Sequence, residues 1–103
     1  MSTETKPLVW LITGCSAGFG RSLTLLVLKA GHQVIATSRT PSKSPALVQK
    51  VEELGGIWLP LDMTGSKENL QKVVDEGVER FGTIDVLVNN AGMSILGALE
   101  DFT

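Results

Sequence analysis

The sequence predicts an α/β protein in which a parallel sheet carries helices on both faces. Three observations point there. Short apolar or β-branched runs alternate with stretches whose apolar residues recur at helical spacing. Gly and Pro mark short connections between them. At 103 residues the chain has room for one domain, 1–103, small for this class.

The elements follow in order. Leu8–Ile12 (LVWLI) is continuous and apolar, as in a strand covered on both faces. A helix is predicted from Gly18 to Ala30, turning Phe19, Leu23, Leu26, Val27 and Ala30 inward, with Gly31 as its stop. Gln33–Ser38 is β-rich and reads as the second strand. Pro41 and Pro45 make a loop, and Pro45 suits the first turn of a helix burying Leu47, Val51 and Leu54 before Gly55-Gly56. Ile57–Leu61 is a weaker third strand, because Pro60 has no N–H to donate.

Ser66–Phe81 is the clearest helix, with Leu70, Val73, Val74, Gly77, Val78 and Phe81 on one face. Gly77 costs about 1 kcal/mol there relative to Ala, which predicts close contact with the sheet. Ile84–Asn89 is the fourth strand. Right-handed crossovers then give the order 3-2-1-4. Residues 84–89 would form an open edge prone to self-association, and a four-stranded half-sheet would be marginal. From Ile95 to Leu99 a further element, read as a helix just starting, begins before Thr103.

With 43% hydrophobic and 19% charged residues, the composition is that of an ordinary globular protein. A net charge of -2 gives no electrostatic reason to expect nucleic acid or anionic lipid as partner. The apolar run at Leu8–Ile12 is too short to span a membrane, and the polar start lacks the features of a signal peptide. Cys15 is the single cysteine, so no internal disulfide or thiol metal cluster is expected. A cytosolic setting is the expectation, resting on missing signals.

Thr13-Gly14-Cys15-Ser16-Ala17-Gly18-Phe19-Gly20 joins the first strand to the first helix. A doubly wound, Rossmann-like fold binds its dinucleotide at that junction. Free N–H groups and the positive helix end meet the pyrophosphate there. A side chain at Gly14, Gly18 or Gly20 would restrict the turn, block the phosphate or wedge the helix away. The plainer reading is a turn and a helix cap. Yet at an average glycine usage near 7%, three glycines at set positions arise in roughly 3 of 10,000 windows.

The spacing T-G-x-x-x-G-x-G resembles the cofactor motif of the short-chain dehydrogenases/reductases, and Asn89-Asn90-Ala91-Gly92 resembles that family's N-N-A-G after the fourth strand. Leu61-Asp62-Met63-Thr64 resembles the segment carrying the family's adenine-contacting Asp. Together the motifs cover the chain from about Leu8 to Thr103. The resemblance implies cofactor contacts at Gly14, Ser16, Gly18, Phe19, Gly20, Asp62, Met63, Asn89, Asn90, Ala91 and Gly92. In relatives the first Asn ties the sheet together, and the second lies near the ribose through its backbone. For Asp62, capping the helix at Ser66 is an equally good reading of the residue alone.

The tip of the second strand, Thr37-Ser38-Arg39, bears on the choice of cofactor. NAD-binding folds usually place an acid there to hold the ribose 2′-hydroxyl. An Asp at Ser38 would repel a 2′-phosphate, whereas Arg39 can bind one by a charge-assisted contact, with Lys43 as a second positive charge. Without the glycine motif, Arg39 would be a solvated surface residue. With it, NADP(H) is expected over NAD(H).

Other residues read more plainly. Cys15 is a small loop filler rather than a redox sensor, and His32 a solvated residue beside the helix stop. Trp10 and Trp58 are packing residues, and Glu52-Glu53 and Asp75-Glu76 are solubilising charge. None of these forms a metal site or an acid/base pair.

The resemblance implies an oxidoreductase in which a Tyr passes the substrate proton, a Lys lowers its pKa and a Ser orients the carbonyl. The chain contains no tyrosine. It therefore supplies cofactor residues and no catalytic ones. Two readings follow: the cofactor-binding part of a longer reductase acting on a small carbonyl or alcohol, or a non-catalytic nucleotide- or partner-binding module.

Overall fold

Strand β1 (Val9–Ile12) lies inside a five-stranded sheet of order β3-β2-β1-β4-β5 in the computed structural model, which describes residues 7–62, 67–90 and the backbone of 94–98. β2 (Gln33–Ser38), β3 (Ile57–Pro60) and β4 (Val86–Asn89) run parallel to it, in the expected order 3-2-1-4. Helices α1 (Gly18–Lys29) and α2 (Pro45–Glu53) cover one face, and α3 (Lys67–Phe81) covers the other. A single 3₁₀ turn, Pro41–Lys43, precedes α2.

The alternation of side chains along each strand divides the core. Ile12, Val34, Ala36, Trp58 and Val88 meet Val27, Leu28 and Val51 of α1 and α2. Val9, Leu11, Ile35 and Leu87 meet Val73, with Leu61 and Ile84 from the connections. The register places Ala36 beside both Ile12 and Trp58, so one apolar row crosses three strands. Gly77 lies close to the sheet as its sequence position suggests: a Cβ there would run into Ile35 Cδ1.

Two expectations are corrected. The sheet has a fifth strand, β5 (Ser94–Ala98), where a starting helix was expected. It pairs antiparallel with β4, so residues 84–89 are not the open edge. The connection after Asn89 is far too short for the crossover that a parallel neighbour requires, and a return strand is what it permits. The register slips between Leu87 and Val88, the mark of a bulge.

The buried face of α1 is also rotated from the predicted one. Gly20, Thr24, Val27 and Leu28 are buried, whereas Phe19 and Leu26 are 56% and 66% exposed. Small side chains let the helix settle onto the strand ends, and counting only apolar residues overlooks that. Val78 likewise falls off the buried face of α3.

Candidate functional site

The carboxyl ends of β1, β2 and β4 bring most of the expected residues to one edge of the sheet. β1 ends at Ile12, and Thr13 continues its ladder by donating its N–H to the Val88 carbonyl at 3.1 Å. Gly14 then turns at φ +65°, in the left-handed region that suits glycine. Ser16, Ala17, Gly18 and Phe19 are exposed at the N-terminus of α1, with no side-chain cap from Ala17. This leaves open backbone N–H groups at the positive end of a twelve-residue helix.

Buried hydrogen bonds hold the loop from below. Cys15 donates its N–H to the Thr37 carbonyl at 2.9 Å. Its thiol lies 3.0 Å from the Ile12 carbonyl, which also accepts from Thr37 Oγ1 at 3.1 Å. Thr24 Oγ1 donates to the Gly20 carbonyl at 2.7 Å and lies 3.2 Å from Cys15 Sγ. Burial raises the Cys15 pKa, against hydrogen bonds from Thr24 and Thr37 that lower it. Cys15 is thus a buried hydrogen-bonded hub. Thr24 was missed in the sequence, where a polar residue within α1 was the available signal, and Thr37 was read only as part of the β2 tip.

Gly20 permits the close packing of α1 on the loop. A Cβ there would run into the Gly14 carbonyl oxygen and lie 2.7 Å from Asn90 Nδ2. Asn90 Nδ2 donates to that same carbonyl at 3.0 Å, so its side chain, not only its backbone, reaches the site. Asn89 Oδ1 accepts from Thr13 Oγ1 at 3.3 Å, tying β4 to β1.

The other end of the site is less assembled. Ser38 is buried, and its Oγ accepts from Trp58 Nε1–H at 2.9 Å, which directs it into the core. Arg39 and Asp62 face each other, with Nε and Oδ1 3.8 Å apart and side chains 72% and 42% exposed. An exposed pair of this kind is worth at most about 1 kcal/mol, so Arg39 is readily exchanged onto another anion. A depression of about 320 Å³ holds both, with Asn69 and Lys72 on its wall. Lys43 lies in a separate depression of about 510 Å³ with Ser16, Arg21 and Lys50. A further depression, about 580 Å³ beside Trp58 and Glu76, shares no residue with the glycine loop. Met63, Ala91 and Gly92, and the expected helix start at Ser66, lie outside the described residues.

His32 departs from expectation: half-buried, it accepts the Leu8 N–H on Nδ1 at 2.9 Å and lies 6.2 Å from the Trp10 ring. No helix among the described residues is long and apolar enough to cross a membrane.

Residues 8–103 match the short chain dehydrogenase family. The oxidoreductase claN of Passalora fulva is 41% identical over 95 residues, which are 91% of this chain and 42% of that protein. A short-chain dehydrogenase from Streptomyces avermitilis superimposes with a TM-score of 0.73 at 36% identity, over 82% of this chain and 31% of that one. An NADH-dependent reductase solved in complex with NAD gives a TM-score of 0.69 at 33% identity, over 82% and 36% of the two chains. The chain spans between 32% and 42% of the length of the first curated relatives it matches.

Proposed function

The chain belongs to the short-chain dehydrogenase family, and from that premise we propose that it is the NADP(H)-binding part of a carbonyl/alcohol oxidoreductase. The observation that carries the cofactor choice is Arg39, an exposed guanidinium at the tip of β2 where Ser38 stands in place of an acid. The residues fit a dinucleotide. The open backbone from Ser16 to Phe19 would face the pyrophosphate. Arg39 would leave Asp62 for the 2′-phosphate, and Asp62 would accept from the adenine amino group; Lys43 lines the separate depression beside Ser16. When bound, such a cofactor supplies or takes up the hydride.

Turnover of a small carbonyl or alcohol would require a Tyr, and the chain has none, so the chain alone is proposed to bind without catalysis. The second reading is a non-catalytic nucleotide-binding module; among the described residues β5 pairs the outer side of β4. An open reading frame continuing past Thr103 into Tyr-x-x-x-Lys supports the first reading; a stop codon there supports the second.

Calorimetric titration with NADPH and NADH tests the cofactor. The wild type should prefer NADPH, and Arg39→Ala should weaken NADPH by about 10- to 100-fold while sparing NADH. Equal wild-type affinity for the two cofactors would reject the NADP assignment.

A further inference from the structure

The Gly14–Cys15 peptide unit is held on both sides by the ends of two different strands. Its carbonyl, on Gly14, accepts from Asn90 Nδ2 beyond β4 at 3.0 Å. Its N–H, on Cys15, donates to the Thr37 carbonyl of β2 at 2.9 Å. Each peptide unit has one donor and one principal acceptor, and both are used here. Rotation of this plane breaks both bonds.

Local sterics do little to hold it. Gly14 sits at φ +65°, and a glycine moves between backbone regions at little steric cost. External hydrogen bonds therefore decide the orientation. The bare face of Gly20 provides the room, since a Cβ would fill the space shared by Gly14 O and Asn90 Nδ2. An amide is the group this contact needs. A carboxylate would set an acceptor against an acceptor, and a hydroxyl is too short to replace the reach of an Asn side chain.

We propose that Asn90 is a positioning residue whose side-chain amide sets the Gly14–Cys15 peptide plane, and through it the loop that receives the pyrophosphate. The end of β4 thereby controls a binding element that lies between β1 and α1. Its role toward a ligand rests on the dinucleotide reading above; the latch itself does not.

Amide hydrogen exchange and ligand titration on the 103-residue chain test the two parts separately. In Asn90→Ala, exchange of the Cys15 N–H should accelerate about tenfold, while amides within β2 and α3 keep wild-type rates. Affinity for NADP+ should fall about tenfold, whereas 2′-AMP, which has no pyrophosphate, should bind as before. The isosteric Asn90→Asp should show the same pattern with a larger loss, and it serves if the alanine variant does not fold.

Unchanged Cys15 exchange in both variants would overturn the latch whatever binds. Equal losses for NADP+ and 2′-AMP, or none for either, would overturn the positioning role. A wild-type chain that binds no NADP+ but shows the exchange effect would remove the cofactor reading and uphold the latch.

Discussion

Replacing Gly20 and Gly77 by Ala, one at a time, separates two kinds of close approach. Both lie within helices, where Ala gains up to about 1 kcal/mol over Gly. At Gly20 the added Cβ meets a backbone carbonyl, Gly14 O, which no side-chain rotation can move aside, and it also displaces Asn90 Nδ2. Overpacking of this kind costs about 1–3 kcal/mol, and the lost hydrogen bond about 1 kcal/mol more. With the helix gain set against these, Gly20→Ala should destabilise the chain by about 1–3 kcal/mol. At Gly77 the struck atom is Ile35 Cδ1, the far end of a side chain that can adjust. The net change there should stay within about 1 kcal/mol. Urea unfolding followed by the fluorescence of Trp10 and Trp58, both in strands, provides the measurement. A Gly20→Ala chain as stable as wild type, or less destabilised than Gly77→Ala, would refute the reasoning.

Two further outcomes follow from a buried thiol and a half-buried carboxylate. Because burial raises the Cys15 pKa in the folded state, the unfolded chain loses that proton first as pH rises. Stability should therefore be complete below the ordinary thiol value of 9.0 and decline above it as pH rises toward the folded pKa. Urea midpoints measured across this range should show a decline in wild type that Cys15→Ser lacks. At the other end of the sheet, Asp85 Oδ2 accepts the Val9 N–H at 2.9 Å, and the Asp85 N–H donates to the Val9 carbonyl at 2.8 Å. Asp85→Ala should cost about 1–3 kcal/mol, and Asp85→Asn, which keeps an acceptor, clearly less. Equal urea midpoints for Asp85→Ala and wild type would show the clasp to be idle.

Much of the fold is legible in the sequence because periodicity reports burial directly. Continuous runs such as Leu8–Ile12 mark strands covered on both faces, and the four parallel strands and three helices were found in order. The misses share a cause. β5 was misread because a strand pairing antiparallel at an edge depends on its neighbour, and five residues carry too little periodicity to name it. The face of α1 was misplaced because Gly20 and Thr24, buried by fit rather than by apolarity, outweighed Phe19 and Leu26.

The site divides in the same way. The place of the glycine-rich turn was legible in sequence: a turn from a buried strand into a helix that opens at Gly18 falls at the carboxyl edge of a parallel sheet. Family membership, too, rests on motifs that keep their order along the chain. Only the tertiary structure decided which groups hold one another. Ser38 turns to Trp58, Arg39 meets Asp62, and Asn90 reaches Gly14 across 76 positions of sequence. Local pattern encodes what a residue prefers to be buried against; a hydrogen bond between distant strand ends exists only once the sheet has fixed their distance.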